Sequence, residues 1–490
     1  MKKQAIVIGS GVAGIASAIR LSVKGYKVDL FESNSYPGGK ITAIERKGYR
    51  FDAGPSLFTL PHLVEELFTL CGENPSQHFK YITKEESCRY FWEDGTHLIA
   101  GTSAETTSLE VEKALGVPAE TVRNYLRESA FIWNRTRPFF LERSLHKLNS
   151  YLDPTLIPTL LSIHRLHLTS TLHRVNSKKL QHPKLVQIFD RYATYNGSDP
   201  YQTPGVMTVI PHLEHNLGTY LPEGGMHDIT TSLVALAERQ GVTFHYNSPV
   251  SKILIHEQKA AGVEVGGVKA FADVVVSNMD IVPTYRKLLS DRPAPETVLS
   301  QERSSSALIF YWGIKGEFQD LGLHNIFFSK DYEAEFKAIF QENRVIDDPT
   351  VYVNITSKDV AGDAPNGSEN WFVMVNTPGD KGQDWDRIIP EVRRNVLDKL
   401  TRLLNRDIES LIEVEEMLTP RLIESRTSSF QGSLYGASSN NPLAAFLRHP
   451  NFSQRISGLF FCGGSVHPGG GIPLSLLSAK IVGSLVKPGT

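Results

Sequence analysis

Residues 1–32 carry the pattern that most narrows what this chain can fold into. Ala5-Ile6-Val7-Ile8 is a short apolar strand. Gly9-Ser10-Gly11-Val12-Ala13-Gly14 follows, and Ala16, Ala18, Ile19 and Leu21 continue as a helix. Lys27-Val28-Asp29-Leu30-Phe31 reads as a second strand with Glu32 at its end, 18 residues beyond Gly14. Each part has a physical task. Gly9 permits the tight turn, Gly11 lets backbone approach a pyrophosphate, and Gly14 lets helix and strand pack closely. The free amides at the helix start, at Val12 and Ala13, sit at the positive end of the helix dipole and hold phosphate. Glu32 accepts hydrogen bonds from a ribose diol. A glycine motif alone is weak evidence; the strand, helix and acid around it are the confirming context. A dinucleotide is expected, bound by a Rossmann-like α/β unit.

The chain has 490 residues, 41% hydrophobic and 21% charged, which describes a folded globular protein too long for a single core. A net charge of -2 argues against nucleic-acid binding. Cys71, Cys88 and Cys462 show neither metal-ligand nor redox spacing, so a reducing compartment and no metal site are expected. No apolar run is long enough to span a bilayer. Met1-Lys2-Lys3 before an apolar stretch has the look of a secretory leader. Glycines interrupt it, however, and cleavage would destroy the nucleotide fingerprint, so a cytoplasmic protein is expected.

After Glu32 come Tyr36-Pro37-Gly38-Gly39-Lys40 and Gly48-Tyr49-Arg50-Phe51-Asp52-Ala53-Gly54-Pro55-Ser56. This order resembles the flavoprotein superfamily of amine oxidases, carotenoid desaturases and prenyl-carrier GDP dissociation inhibitors. The resemblance implies FAD. It implies that Gly39 returns under the cofactor, that Lys40 approaches its phosphate or ribose region, and that Ser56 and Leu57 approach the flavin end. Val250 falls where such folds pass a strand beside the adenine. Ala272 to Asn278 reads as a buried parallel strand, with Asn278 either core or cofactor contact. Leu459 to Gly464 is a strand leading into a glycine-rich turn, and Ser475 to Val486 reads as a small-residue helix whose start suits an anion or a flavin carbonyl. Leu434, Gly464, Gly471 and Ile472 complete the cofactor set that the resemblance implies.

The order of blocks is similar to the bacterial phytoene desaturase family across essentially the whole chain. Phytoene desaturases tend to end in His-Pro-Gly-Ala-Gly-Ile-Pro-Gly. Here residues His467 to Leu474 read His-Pro-Gly-Gly-Gly-Ile-Pro-Leu, which resembles the branch that desaturates C3–C4 of 1-hydroxylated carotenoids. The implied activity is FAD-dependent introduction of that double bond into a 1-hydroxylated carotene, such as 1'-hydroxy-γ-carotene. Phytoene desaturation, an isomerase, and a carotenoid or prenyl-lipid carrier on the same fold stay open. The expected organisation is a discontinuous FAD-binding domain over 1–75, 220–283 and 430–490. A mixed-sheet substrate domain takes 76–103, 201–219 and 284–429, and a helical, membrane-associated lid takes 104–200.

That lid is greasy and basic. Between residues 131 and 191 lie ten bases, Arg135 and Lys147 among them, against Glu142, Asp153 and Asp190 alone. Apolar helices with a basic rim suit an anionic membrane surface. An ordinary helical cap with solvated charges fits the same pattern, and the carotenoid resemblance favours the membrane. Desaturation removes a hydride and a proton from unactivated carbons. The flavin takes the hydride and the polyene spreads the resulting cation, so no nucleophile or triad is required. Asp190, Asp199 and His182 are conceivable bases, but each reads as exposed surface, and no catalytic residue is assigned. Gly262, Gly266 and Gly267 fall in a turn-like stretch, so no second nucleotide motif serves NAD(P)H, and oxygen or a membrane quinone is the expected electron acceptor.

Overall fold

The computed structural model describes residues 2–154, 156–441 and 447–489. Thr155 of the expected lid and residues 1, 442–446 and 490 of the expected FAD-binding domain lie outside the described residues.

The fingerprint folds as its pattern requires: β1 (Gln4–Ile8), α1 (Val12–Val23) and β2 (Lys27–Phe31). β1 and β2 belong to a five-stranded parallel sheet ordered Leu459–Phe461, Val274–Ser277, β1, β2, Thr243–His245. Segments far apart in sequence therefore lie side by side. Val274–Ser277 is buried at every position, the signature of a central parallel strand covered on both faces. α1 buries Ile15, Ala16, Ala18 and Ile19 against this sheet. Its alanines let the C-terminal helix, Ile472–Leu485, pack alongside. That helix starts earlier than the expected Ser475, because Pro473 has the backbone angle and missing N–H that suit a first turn.

A second sheet of seven strands runs Ile412–Leu418, Ser306–Lys315, Ser368–Thr377, Val351–Ile355, His324–Phe327, Glu86–Phe91, His97–Gly101. Its pairings are antiparallel except between His324–Phe327 and Glu86–Phe91. Ser306–Lys315 is buried along almost its whole length, and alternation explains why. Leu308, Phe310, Trp312 and Ile314 pack beneath helix Trp385–Leu404, while Ile309 and Tyr311 face the other way with Phe372.

Residues 104–190 form helices Ala104–Leu115, Ala119–Thr136, Leu172–Leu180 and Pro183–Asp190. Gly116, at φ +67°, ends the first, as an achiral residue can without strain. The apolar stretch after Asp153 is less regular than its composition suggests: one short helix, Leu156–Leu161, then a single 3-10 turn at Ile163–Arg165. Gly262 departs from expectation. It lies within strand Lys259–Val265, where a Cβ would stand 1.9 Å from the Ala270 carbonyl oxygen, and Gly266 and Gly267 alone make the turn.

Candidate active site

Gly11 caps α1 without offering a side chain, so the amides of the first helical turn are left for a ligand. Gly9, at φ +90°, donates its N–H to the Phe31 carbonyl at 2.8 Å and so ties the turn to β2. Glu32 is buried and heavily used. Oε2 accepts from Ser10 N (2.8 Å) and Ser10 Oγ (2.7 Å). Oε1 accepts from Ser33 Oγ (3.1 Å), Asn34 N (2.9 Å) and Asn34 Nδ2 (3.0 Å). The acid thus shapes the turn besides facing the cavity. Gly38 donates to the Ser10 carbonyl at 2.9 Å, and a Cβ on Gly39 would stand 3.3 Å from Gly11 Cα. The second glycine pair therefore crosses directly over the first.

Asn278 is a bolt through this region. Its N–H donates to the Ile8 carbonyl at 2.8 Å and its Nδ2 to the Cys462 carbonyl at 3.1 Å. A Cβ on Gly11 would approach Asn278 Oδ1 to 2.6 Å, and one on Gly463 would approach Nδ2 to 2.5 Å. Asn278 locks the strands and also lines the cavity.

One cavity of about 780 Å³ runs from this turn into the protein. Every candidate cofactor residue lines it except Gly14: Gly9, Gly11, Val12, Ala13, Glu32, Gly39, Lys40, Ser56, Leu57, Val250, Asn278, Leu434, Gly464, Gly471 and Ile472. Gly14 acts from behind, where a Cβ would lie 2.1 Å from the Gly9 carbonyl oxygen. Lys40, expected to approach the phosphate or ribose region, lines the cavity with its ammonium already bonded to backbone. Its Nζ donates to the carbonyls of Ser433 (3.0 Å) and Leu434 (2.8 Å). Burial lowers its pKa to about 8, against the pull of the nearby Asp280 carboxylate. Its first task is to pin the 433–434 segment to the cavity wall.

Farther in, the wall is apolar and aromatic, with Trp133, Leu141, Met207, Ile210, Ile309, Ile326, Phe372 and Met374. Two polar groups interrupt it that the sequence did not signal. Ser56 Oγ bonds Tyr352 Oη at 2.7 Å, and Tyr352 Oη bonds His324 Nδ1 at 2.7 Å. Next to them Glu214 accepts from Tyr192 and Tyr195 and pairs with Arg191 Nη2 at 3.3 Å. Despite complete burial, which opposes ionisation, Arg191 and its neighbours hold the Glu214 carboxyl below its ordinary range. Apart from Ser56, none of these residues belongs to a motif or a recognisable spacing, so only the folded chain reveals them.

The expectation that Asp190 and Asp199 are exposed is corrected: both are buried. Asp190 accepts from Asn176 Nδ2 (2.8 Å) and pairs with His173 Nδ1 (2.6 Å). Asp199 accepts from Tyr201 N and Gln202 Nε2. Their hydrogen bonds make burial tolerable, and neither these two nor His182 lines the main cavity.

Three buried histidines near the site have their pKa lowered to about 4 by desolvation: His324, His449 and His467. His467 Nε2 donates to the Arg143 carbonyl at 2.7 Å, which ties the glycine-rich turn to the lid. Between the ordinary value of 6.5 and about 4 the unfolded chain binds protons that the folded chain refuses. Stability is therefore whole at pH 7 and falls as pH drops through that window, by up to about 1.4 kcal/mol per pH unit for each histidine. Urea midpoints at pH 7 and 5 test this; equal midpoints would refute it.

The structure has close relatives in fold. Putrescine oxidase, as a triple mutant with redesigned cofactor binding, superposes with a TM-score of 0.65 at 12% identity over 98% of both chains. An oxidoreductase from Methanosarcina mazei does so with 0.60 at 16% identity, over 97% of this chain and 98% of that one. A family profile, flavin containing amine oxidoreductase, matches residues 12–484. The chain belongs to the flavin-containing amine oxidoreductase family. The chain is similar to 1-hydroxycarotenoid 3,4-desaturase of Flavobacterium sp. (strain P99-3), 54% identical over 484 residues and 99% of each chain. It is also similar to 4,4'-diapolycopene oxygenase of Methylomonas sp, 32% identical over 98% of this chain and 97% of that one. Membership in this flavin family, together with the dinucleotide fingerprint, makes the cofactor FAD. The cavity fits it: one helix start is bare of a cap at Gly11, and a second, capped only by Gly471 at φ +98°, opens into the same space.

Proposed function

We propose that this protein is an FAD-dependent carotenoid desaturase that introduces the C3–C4 double bond into a 1-hydroxylated carotene. One observation carries the reading: a single cavity joins the dinucleotide turn to a long apolar interior. The similarity to 1-hydroxycarotenoid 3,4-desaturase supports this substrate over phytoene. The fingerprint residues Gly9, Gly11, Val12, Ala13 and Glu32 would hold the adenosine diphosphate portion, with Val250 beside the adenine. Ser56, Leu57, Leu434, Gly464, Gly471 and Ile472 would surround the flavin. Bound there, the flavin supplies the acceptor for the departing hydride. The apolar wall then does what the chain itself must do: align a long rod and keep water from the charge that develops on it. Oxygen or a membrane quinone is the proposed terminal acceptor. The three-part division expected above, into cofactor domain, substrate domain and lid, is proposed with the same boundaries.

We place substrate entry at a membrane. No helix among the described residues is long and apolar enough to cross one. The lid instead exposes Leu152 (82%), Leu161 (74%) and Ile157 (58%), with Leu160 and Ile163 beside them in sequence. An inward-packed cap would have hidden these side chains. Arg165 lies 3.7 Å from the Phe131 ring and Arg135 is near the same ring, so cations border the lid's apolar residues. Phe140, Leu141 and Leu145, just before this stretch, line the cavity. Such a surface supports loading of a lipid-dissolved substrate.

The activity is tested with two liposome preparations, one holding a 1-hydroxylated carotene and the other phytoene. A red shift in product absorption with the hydroxylated carotene alone is expected. Colour from phytoene alone would move the protein to the earlier desaturation step.

A further inference from the structure

A buried polar group that lacks a partner is costly, and the apolar cavity wall contains one whose chemistry is fixed by its neighbours. His324 sits on strand His324–Phe327, lines the cavity and is 4% exposed. Across the sheet it pairs with Asn354, whose Nδ2 donates to the Leu323 carbonyl at 2.9 Å and faces His324 Nδ1 at 3.2 Å. That carbonyl fixes which end of the Asn354 amide carries hydrogens, so Nδ1 of His324 is the acceptor. Tyr352 Oη, 2.7 Å from the same nitrogen, then donates to it, and Ser56 Oγ donates to Tyr352. The neutral ring must carry its proton on Nε2. Nε2 is buried and has no hydrogen-bond partner among the described residues. His324, a residue of the cavity wall, therefore carries an N–H donor with nothing to donate to.

The neighbouring cluster does not supply its partner. Both Glu214 oxygens already accept from Tyr192 and Tyr195, with Arg191 Nη2 as a further donor, and the unpartnered Arg191 Nε is itself a donor that cannot receive the His324 N–H.

We infer that His324 reads the tertiary hydroxyl of the substrate: its Nε2–H donates to the oxygen on C1, and Tyr352 and Ser56 position the ring. The inference rests on the proposed 1-hydroxycarotenoid substrate. C1 is two bonds from C3, which places the oxygen within roughly 4 Å of a reacting carbon. The hydroxyl must therefore be read close to the flavin end, and not at the far end of the cavity. The chain Ser56–Tyr352–His324 begins in the segment proposed to face the flavin. A hydrocarbon in the same position would leave Nε2–H buried and unpaired, so the site would penalise a carotene lacking the hydroxyl.

The test compares kcat/KM for a 1-hydroxylated carotene and for the same carotene without the hydroxyl, in wild type, His324→Leu and His324→Gln, each checked for flavin content and thermal midpoint. Anaerobic binding of both carotenes to the flavin-reduced enzyme gives the ground-state part of that preference without turnover. Wild type is expected to prefer the hydroxylated substrate. His324→Leu should lower that preference about ten- to a hundredfold, and His324→Gln, which keeps an N–H donor, should restore part of it. A flavin-loaded His324→Leu that keeps the full preference overturns the assignment while leaving the proposed function standing. So does a preference lost in Tyr311→Phe instead, since the Tyr311 hydroxyl is another buried, unpartnered group on this wall. A wild type that shows no preference overturns the substrate reading and the assignment together.

Discussion

Glu32→Ala will emerge from purification with less than about a tenth of the wild-type flavin. The carboxylate does two jobs that alanine cannot share. It faces the cavity where a ribose diol is expected, and it gathers Ser10 N, Ser10 Oγ, Ser33 Oγ, Asn34 N and Asn34 Nδ2 around its two oxygens. Its loss orphans buried donors in the very turn that approaches the pyrophosphate. Each buried donor left unpaired costs about 1–3 kcal/mol, so affinity should fall roughly tenfold to a hundredfold or more. Glu32→Gln keeps an acceptor oxygen and should retain an intermediate flavin content. The ratio of flavin absorbance to protein absorbance measures it, with a thermal midpoint to confirm folding. Full flavin content in a folded Glu32→Ala protein would remove this residue from the cofactor site.

The second large effect is expected at the lid. Replacing Leu152, Ile157 and Leu161 together with aspartate should abolish flotation with anionic liposomes. Each of these side chains would transfer about 1.5–3 kcal/mol of apolar burial to the lipid, so losing three lowers partitioning by on the order of a thousandfold or more. None of the three lines the cavity, so flavin content should match wild type. Undiminished flotation would show that the exposed apolar residues serve something other than a membrane.

The nucleotide half was legible because its information is local. Gly9 to Gly14 and Glu32 lie in one strand–helix–strand unit, where spacing along the chain translates directly into spacing in the fold. The glycine-rich ending at His467 to Leu474 was legible for the same reason. His324 and Tyr352 were not, because what makes them a site is register: Tyr352 stands opposite Ile326, two residues along from His324, only when two strands pair. Arg191 and Glu214 were not, because they meet only where two short helical segments pack together. Asp190 was misread for a related reason. An aspartate is exposed by default, and only Asn176 and His173, brought alongside by the helix pair, make its burial tolerable. Lys40 shows the limit of a motif. The residue is on the cavity wall as expected, but its ammonium is committed to carbonyls at Ser433 and Leu434 that the motif says nothing about.

The clasp made by Asn278 also sets a timetable. It joins the fingerprint turn to the Cys462 carbonyl, and the sheet is completed by Leu459–Phe461. During synthesis, the fingerprint leaves the ribosome long before either partner exists. The nascent chain must therefore wait with its glycine turn held only by its local bonds to Phe31, Glu32 and Gly38 until the segment from Leu459 to Leu485 has been translated. A chain ending before that segment is accordingly expected to purify without flavin.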